Sequence, residues 1–469
     1  MCYQYNKRKR DTKCACITDQ GKKVTYVLLK NMVNDLANSL LENRIAIAIL
    51  NNDLNSIVFY LACLQKKIVP IILNPIISIT QIQQYILQYD PEYIFFSQKN
   101  SDLIDEILKY HYCKIENVSV FTIFENHRSK SKKINKELAI LLPTSGTTHI
   151  SKLVRISREN LFDNTKNICK TLEINEEDIA ITSLPVSYTY GLSILNTHLL
   201  RHATIVLTNK SVLQKSFWDL SNRYHVTSFA GVPYTYELLE KSGHLKKKNT
   251  IKVYTQAGGR LSLRLQDLFI QHCKNTNKKF YVMYGQTEAT ARMSILQMED
   301  AERKRGSVGQ AITGGDFRIK KKDPFDQEGE ILYSGKNVCM GYCTCLHDLE
   351  LGDINAGCLK TGDFGYLDEE GFLYLTGRKT DFVKMYGRRI NLNHISQIIE
   401  EQWGVPTFCK AKGNTIVVIY EKKAQEIMLS VQRELHKLLH LSGSDLSYYK
   451  IDKFERTYNG KVCFDGKYE

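Results

Sequence analysis

The segment TYVLLKNMVNDLANSLL carries Leu29, Met32, Val33, Leu36, Ala37 and Leu40 at a spacing that predicts one apolar helical face. RIAIAIL predicts a short buried strand, LNSIVFYLACLQKK a helix, and IVPIIL a second strand. SITQIQQYILQYD predicts a helix with Ser78 as its N-cap, and EYIFF a third strand. Strand and helix alternating in this way imply parallel strands with helices packed over them, an α/β class. The rhythm returns across 180–290, where TIVLT, VTSFAGV and KKFYVMYG predict strands separated by helices. From about Ser307 the elements become short β segments, DFRIKK, EGEILYSG and GFLYLTG, which predict a small β subdomain. The charged, glycine-punctuated stretch GRKTDFVKMYGRR then leads into a last unit, so the boundary is placed between residues 1–377 and residues 378–469. No internal repeat or low-complexity tract interrupts the chain.

A chain of 469 residues is long enough for two to four compact units. Its 43% hydrophobic and 24% charged residues are ordinary for a globular protein. The formal net charge of +14 suits acidic partners such as coenzyme A or an acidic carrier protein. Most basic residues are spread along the chain and read as solvated surface, and nucleic acid is set aside as a partner. The 13 cysteines show no zinc spacing, and several, Cys63 among them, fall in apolar runs where a buried thiol is expected. This usage points to a reducing cytoplasm. The amino terminus is polar and basic without an apolar signal core. The longest apolar stretch, IAIAILNNDLNSIVFYLACL, is cut by Asn51, Asn52, Asp53 and Asn55, so no membrane span is expected.

Candidate chemistry concentrates in a few stretches. LLPTSGTTHISKLVRIS brings Thr144, Ser145, Gly146, Thr147 and Thr148 directly after an apolar strand, with Lys152 behind them. Hydroxyls, free backbone N–H groups and a lysine can wrap phosphate oxygens. The spacing is not that of a Walker A loop. LPVSYTYGLS, YTQAGGRLS, YGQTEAT, the TGD of KTGDFGYLDEEG, GRKTDFVKMYGRRI and FERTYNGKV follow in that order. Taken singly, each reads as an ordinary turn.

Taken together, these stretches resemble the ordered motifs of the adenylate-forming (AMP-binding) superfamily, which includes acyl-coenzyme A synthetases, non-ribosomal peptide adenylation domains and firefly luciferase. The resemblance runs from about Val24 to Val462. It implies a large amino-terminal adenylation domain and a small, mobile, carboxy-terminal α+β lid. It also implies a reaction: a carboxylate attacks the α-phosphate of ATP, pyrophosphate leaves, and a thiol then displaces AMP.

The resemblance implies residue roles. Thr144, Ser145, Gly146, Thr147, Thr148 and Lys152 hold the β- and γ-phosphates. Glu288 binds Mg²⁺, and Thr287 donates to the α-phosphate. Gly258, Gly259, Tyr284 and Gly285 shape the adenine site. Asp363 accepts from the ribose hydroxyls and Arg378 adds a cation. Tyr188, Tyr190, Gly191, Val232, Pro233 and Gln286 line the acyl pocket. Lys461 serves adenylation and Lys384 thioester formation. The acceptor is coenzyme A or a phosphopantetheine-bearing carrier protein. The chain departs from the pattern at His149-Ile150-Ser151, Tyr188, Thr380, His394 and Ser396. LPVSYTYGLS lacks the aspartate that amino-acid-activating relatives use for the substrate ammonium, so an acid without an α-amino group is expected. The rival readings are a stand-alone amino-acid adenylation enzyme and a non-catalytic adenylate-binding protein.

Overall fold

The computed structural model describes residues 12–97, 101–115, 122–129, 131–144, 152–247, 249–323, 325–378, 381–385, 388–413, 415–439, 441–456 and 462. The predicted amphipathic stretches form the elements expected of them. The first helix runs Tyr26–Asn38, with the Thr25 side chain capping the Leu28 N–H. The second runs Leu54–Lys66, capped by Asp53, and ends at Lys67 in the left-handed region (φ 56°). The third runs Ile79–Tyr89, where Ser78 and Gln81 make a reciprocal capping box.

Between these helices lie Ile45–Ile49, Val69–Leu73 and Tyr93–Phe96, each buried throughout. They pair in parallel, Ile47 facing Ile71 on one side and Ile94 on the other. Their continuous apolar character has a simple cause, because helices cover both faces. The antiparallel hairpin Leu138–Pro143 and Leu153–Ser157 extends this sheet, and Gly341–Cys343 closes its edge.

A second large sheet is built from Cys14–Ile17, Ile179–Ile181, Thr204–Val206, Ser228–Gly231, Val253–Gln256 and Lys279–Tyr284 in parallel, with antiparallel edges. The helices Tyr26–Asn38, Leu54–Lys66 and Thr189–Leu200 lie between the two sheets. One core accordingly joins Leu36, Ile57, Phe59 and Leu195 to Ala46 of the first sheet and Ile205 of the second. The outer face of the first sheet packs on Ile82 and Tyr85. The outer face of the second packs on Phe217, Tyr236 and Phe269. The result is five layers, helix–sheet–helix–sheet–helix.

One polar side chain ties the two sheets. Asn52, which follows the strand Ile45–Ile49, is 8% exposed. Its amide donates to the carbonyls of Thr182, Leu184 and Thr208, and its Oδ1 accepts from the Val186 N–H at 2.9 Å. It thus fixes the start of LPVSYTYGLS from the opposite sheet.

The short segments after Ser307 form a four-stranded antiparallel sheet, Asp316–Lys320, Gly329–Ser334, Cys358–Leu367 and Leu373–Arg378. Beyond Arg378 come the hairpin Phe382–Met385 with Arg388–Asn391 and a sheet of Thr407–Lys412, Thr415–Glu421 and Leu446–Ile451. The helices Leu392–Trp403 and Gln425–Leu439 cover that last sheet, and Ile395, Ile399, Val418, Met428 and Val431 form a separate core. No helix of the described residues is long and apolar enough to cross a membrane.

Candidate active site

Several of the singled-out stretches converge because they follow the carboxyl ends of strands, where open α/β sheets bind ligands, whereas the TGD at 361–363 lies inside the strand Cys358–Leu367. Thr144 follows Leu138–Pro143, Val232 follows Ser228–Gly231, Ala257 follows Val253–Gln256 and Gly285 follows Lys279–Tyr284. In the second sheet, Ile179–Ile181 lies between Ser228–Gly231 and Thr204–Val206, so strand order reverses there. LPVSYTYGLS emerges at that point.

Local sequence dictates the turn at YGQTEAT. A Cβ on Gly285 would meet the Ala291 carbonyl oxygen at 1.7 Å, so only glycine lets the chain fold back on itself. The turn Thr287–Ala289 is a single 3₁₀ turn, followed by Thr290 and Ala291 at φ 55° and 104°. Positive φ at an alanine is strained. Asn337 restrains the strained stretch, donating to Ala289 O at 2.8 Å and accepting at its own carbonyl from Thr290 Oγ1 at 2.7 Å.

This turn distributes its side chains in three directions. Tyr284 and Gln286 both donate to Asp363 Oδ2, and Gln286 also donates to Thr361 O at 2.9 Å. The Thr287 hydroxyl meets the Thr189 hydroxyl of LPVSYTYGLS at 3.0 Å. Glu288 Oε1 accepts from the Tyr342 hydroxyl at 2.9 Å. Tyr342 in turn sits below Lys152, whose Nζ is 5.7 Å from the ring centroid.

Asp363 is 5% exposed, and its other oxygen accepts from Arg378 Nε at 2.9 Å. Burial, then the charge of Asp363, holds the Tyr284 phenol protonated, so Tyr284 acts as a donor here. Burial pulls Arg378 down, but the neighbouring Asp363 outweighs it and keeps the guanidinium above its ordinary value. Tyr284 is 8% exposed, with its ring 6.4 Å from that of Phe317.

The Tyr188 and Tyr190 rings stand 6.4 Å apart, edge to face. Tyr190 Oη bonds to Thr255 Oγ1 at 2.8 Å. Gly258 has φ 84°, and a Cβ there would lie 2.7 Å from Tyr188 Oη, so Tyr188 closes over the double glycine. Gly259 would meet Pro233 at 3.2 Å, and Val232 is buried in the same cluster as Tyr190. Gly191 is buried as the third residue of the helix Thr189–Leu200, beside the Pro185 carbonyl. Gln286, expected in the acyl pocket, has its amide in the Asp363 group.

The loop Ser145, Gly146, Thr147 and Thr148 lies outside the described residues, as do Thr380 and Lys461. Its base is closed by the Thr144 N–H donating to Lys152 O at 3.1 Å. Lys384 belongs to the strand Phe382–Met385, and its side chain is outside the described set. Shortly before Lys461, Arg456 stacks 4.6 Å over the Tyr234 ring and reaches Glu237 Oε2 at 3.4 Å. The carboxy-terminal motif therefore begins beside the helix that follows Val232.

Two residues escaped the sequence reading. Tyr342 lies in VCMGYCT, which carries no charged residue to draw attention to it. Arg155 is fully buried on the strand Leu153–Ser157 and donates to Met340 O at 2.8 Å and Tyr342 O at 3.1 Å, as well as to Leu351 O and Gly352 O. It holds the Tyr342 segment by its backbone. A buried arginine in an apolar strand is the signal that could have found it.

Comparison with known proteins supplies the remaining link. A 2-succinylbenzoate–CoA ligase of Oceanobacillus iheyensis is 25% identical over 399 residues, covering 82% of this chain and 80% of that protein. One from Bacillus cereus is 27% identical over 338 residues, 70% of this chain and 66% of its own length. Among solved structures, o-succinylbenzoate CoA synthetase (MenE) from Bacillus subtilis with its acyl-adenylate intermediate shares the fold at TM-score 0.76 and 21% identity, over 96% and 94% of the two chains. ATP-bound MatB from Rhodopseudomonas palustris does so at TM-score 0.79 and 21% identity, over 97% and 95%. The AMP-binding enzyme family matches residues 3–343, and the chain belongs to that family.

Proposed function

We propose that the protein is an AMP-forming acid–thiol ligase. It activates a carboxylic acid as its acyl-adenylate with ATP and then transfers the acyl group to a thiol, that of coenzyme A or of a pantetheinyl carrier protein, in the cytoplasm. The single observation that carries this reading is the reach of one short turn. Tyr284 and Gln286 touch the Asp363–Arg378 pair, Thr287 touches the acyl segment, and Glu288 touches Tyr342 beside Lys152. A reaction joining a carboxylate to the α-phosphate of a nucleotide needs ribose, acyl and phosphate contacts from neighbouring atoms. The coenzyme A ligase relatives support the same reading.

In the first half-reaction a carboxylate oxygen bonds to the α-phosphorus while the bond to pyrophosphate breaks. In the second a thiolate bonds to the acyl carbon and AMP leaves with the bonding pair. Carboxylate and triphosphate repel, so oriented donors and cations must act where charge builds up. Thr287 and Thr189 present hydroxyls at the acyl–phosphate junction. Lys152 and the Thr144–Thr148 loop take the outer phosphates. Arg378 and Asp363 hold the nucleoside, and Gly258 and Gly259 let backbone approach the purine.

Mg²⁺ fits the donor set. Among the described residues no group of three or more His, Cys, Asp or Glu forms a metal cage. Glu288 offers a carboxylate oxygen, the usual protein share of a Mg²⁺ shell completed by phosphates and water. The ion would neutralise phosphate charge. Residues 378–469 form the lid that brings Lys461 and then Lys384 to the nucleotide. The test is ATP–pyrophosphate exchange across fatty, aryl, hydroxy and amino acids, followed by thioester analysis with coenzyme A. Exchange with a non-amino acid and a coenzyme A thioester is expected; no exchange with any acid overturns the reading.

A further inference from the structure

Arg155 is fully buried on the strand Leu153–Ser157, and among the described residues it bonds only to neutral carbonyls. Nε donates to Tyr342 O at 3.1 Å, Nη2 to Met340 O at 2.8 Å and to Gly352 O at 3.1 Å, and Nη1 to Leu351 O. Gly341, at φ 123°, lets the guanidinium lie against the facing strand, since a Cβ there would stand 3.1 Å from Nη2. Burial lowers the affinity of Arg155 for its proton, which the neighbouring Cys343, Asp348, Cys339 and Asp353 offset only in part. A guanidinium nonetheless stays charged at neutral pH. Burying that charge costs desolvation, and a well-packed apolar side chain would serve stability about as well. What the guanidinium supplies is direction: a rigid planar fork fixes where four carbonyl oxygens stand.

The held segment grips the candidate site on its other side. Gly341 faces Arg155 and Tyr342 faces Val154 across the paired strands, and the Met340 N–H donates back to Arg155 O at 2.8 Å. Asn160 adds a second hold just upstream, donating to Lys336 O and Val338 O, each at 2.7 Å. From this stretch the Cys339 N–H donates to Glu288 O at 2.8 Å, and the Tyr342 hydroxyl to Glu288 Oε1 at 2.9 Å. Glu288 is thereby gripped at its backbone and at its carboxylate by the segment that Arg155 holds. The strand of Arg155 begins just past Lys152, whose Nζ stands 5.7 Å from the Tyr342 ring centroid. Lys152 and Glu288 come from different sheets, and the Tyr342 ring is what they share.

We infer that Arg155 is a positioning residue for the metal and triphosphate end of the site, acting through the Tyr342 strand on Glu288 and Lys152. This rests on the adenylation reading above. Arg155 bonds to neither of those side chains; it sets where the phenol stands between them. Hydrogen bonds weaken steeply with misalignment, so loss of the fork is felt as poorer aim of the Glu288 carboxylate. Mg²⁺ demands near-ideal octahedral geometry, which makes its binding the step most sensitive to that aim. The acyl segment is held independently, by Asn52 from the other side of the molecule, so binding of the acid is spared.

The test compares the wild type with Arg155→Met and Arg155→Lys in ATP–pyrophosphate exchange, in calorimetric ATP binding with and without Mg²⁺, and in thermal melting. Arg155→Met is expected to raise both the Mg²⁺ concentration for half-maximal exchange and the KM for ATP by threefold or more. The KM for the acid should stay unchanged, and ATP binding should weaken more with Mg²⁺ than without it. Arg155→Lys, which reaches fewer of the four carbonyls, should fall between. A merely structural arginine would lower the folded fraction, and with it apparent kcat and melting temperature, while both requirements stayed where they are; that outcome overturns the inference. A cycle with Tyr342→Phe locates the route: Arg155→Met should change the Mg²⁺ requirement less in that background than in the wild type, and equal factors in the two backgrounds overturn it. If the wild type exchanges with no acid, the adenylation reading falls and the Mg²⁺-dependent part of ATP binding decides alone. Its loss in Arg155→Met then supports the positioning role, and its persistence overturns it. If Arg155→Met does not fold, Arg155→Lys is read by the same measures, an unchanged Mg²⁺ requirement counting against the inference.

Discussion

The Tyr342 hydroxyl donates to Glu288 Oε1 at 2.9 Å, and the same ring lies beneath Lys152. One tyrosine thus couples the carboxylate suited to Mg²⁺ with the cation suited to phosphate. Burial, and then the charge of Glu288, holds the phenol protonated, so it remains a donor at neutral pH.

Tyr342→Phe removes the donor and keeps the ring. Tyr342 is 39% exposed, so water replaces part of the lost bond. We expect about 1 kcal/mol less stabilisation of Glu288, seen as a roughly fivefold higher Mg²⁺ requirement for pyrophosphate exchange with an unchanged melting temperature. Glu288→Gln should raise that requirement further. An unchanged Mg²⁺ dependence in both variants would remove Glu288 and Tyr342 from the metal reading.

Asp363 already accepts from Tyr284, Gln286 and Arg378. A carboxylate has about four acceptor positions. Two ribose hydroxyls therefore require one present donor to withdraw, and Arg378, more exposed than Tyr284, is the one free to move. Asp363→Ala should weaken ATP binding by about 1–3 kcal/mol. Calorimetry with ATP measures it; an unaltered affinity would contradict the ribose assignment.

His198 is fully buried, and desolvation, opposed by the hydrogen bond to Ile194 O and by Asp178 and aided by the charge of Arg292, depresses it to about 4. A depressed imidazole binds fewer protons folded than unfolded. Its stabilising contribution is full above the unfolded value of about 6.5 and is lost as pH falls toward 4. The difference is on the order of 3 kcal/mol. His198→Asn should melt with a flatter pH dependence than the wild type between pH 6.5 and 4. Parallel curves would place the imidazole in contact with solvent.

Lys461 and Lys384 divide the two half-reactions if residues 378–469 turn as a lid. Lys461→Ala should suppress adenylate formation by roughly 2–4 kcal/mol, the cost of losing an electrostatic transition-state donor. It should spare thioester formation from supplied acyl-adenylate, and Lys384→Ala should do the reverse. Assaying each half-reaction separately is decisive. Loss of the same step in both variants would end the two-face scheme.

Much of the fold was legible because single elements carry strong local signals. Tyr26–Asn38 and Ile79–Tyr89 each combine an apolar stripe with a capping side chain. The buried strands are short apolar runs bounded by turns. The group of side chains that the structure brings together was singled out in the sequence at its glycines and charges: Gly285, Glu288, Asp363 and Arg378. What was hidden depends on contacts between distant segments. The Tyr342–Glu288 bond spans the two large sheets. Gln286 joined the Asp363 group because the turn at Gly285 directs it there, and residue type alone gives no such direction. Arg292 follows the YGQTEAT stretch but faces inward only because two non-glycine residues adopt positive φ.

Arg155 grips the Tyr342 segment through carbonyl oxygens, which every amino acid possesses. The anchor therefore makes no demand on the side chains between Met340 and Gly352, whose own demands come from elsewhere: the core that takes Met340, Cys343 and Leu349, and Glu288, which takes Tyr342. The arginine itself cannot be exchanged for a lysine, which offers no planar fork to satisfy four acceptors. At this corner of the protein the position of the backbone and the choice of side chain are set by different partners.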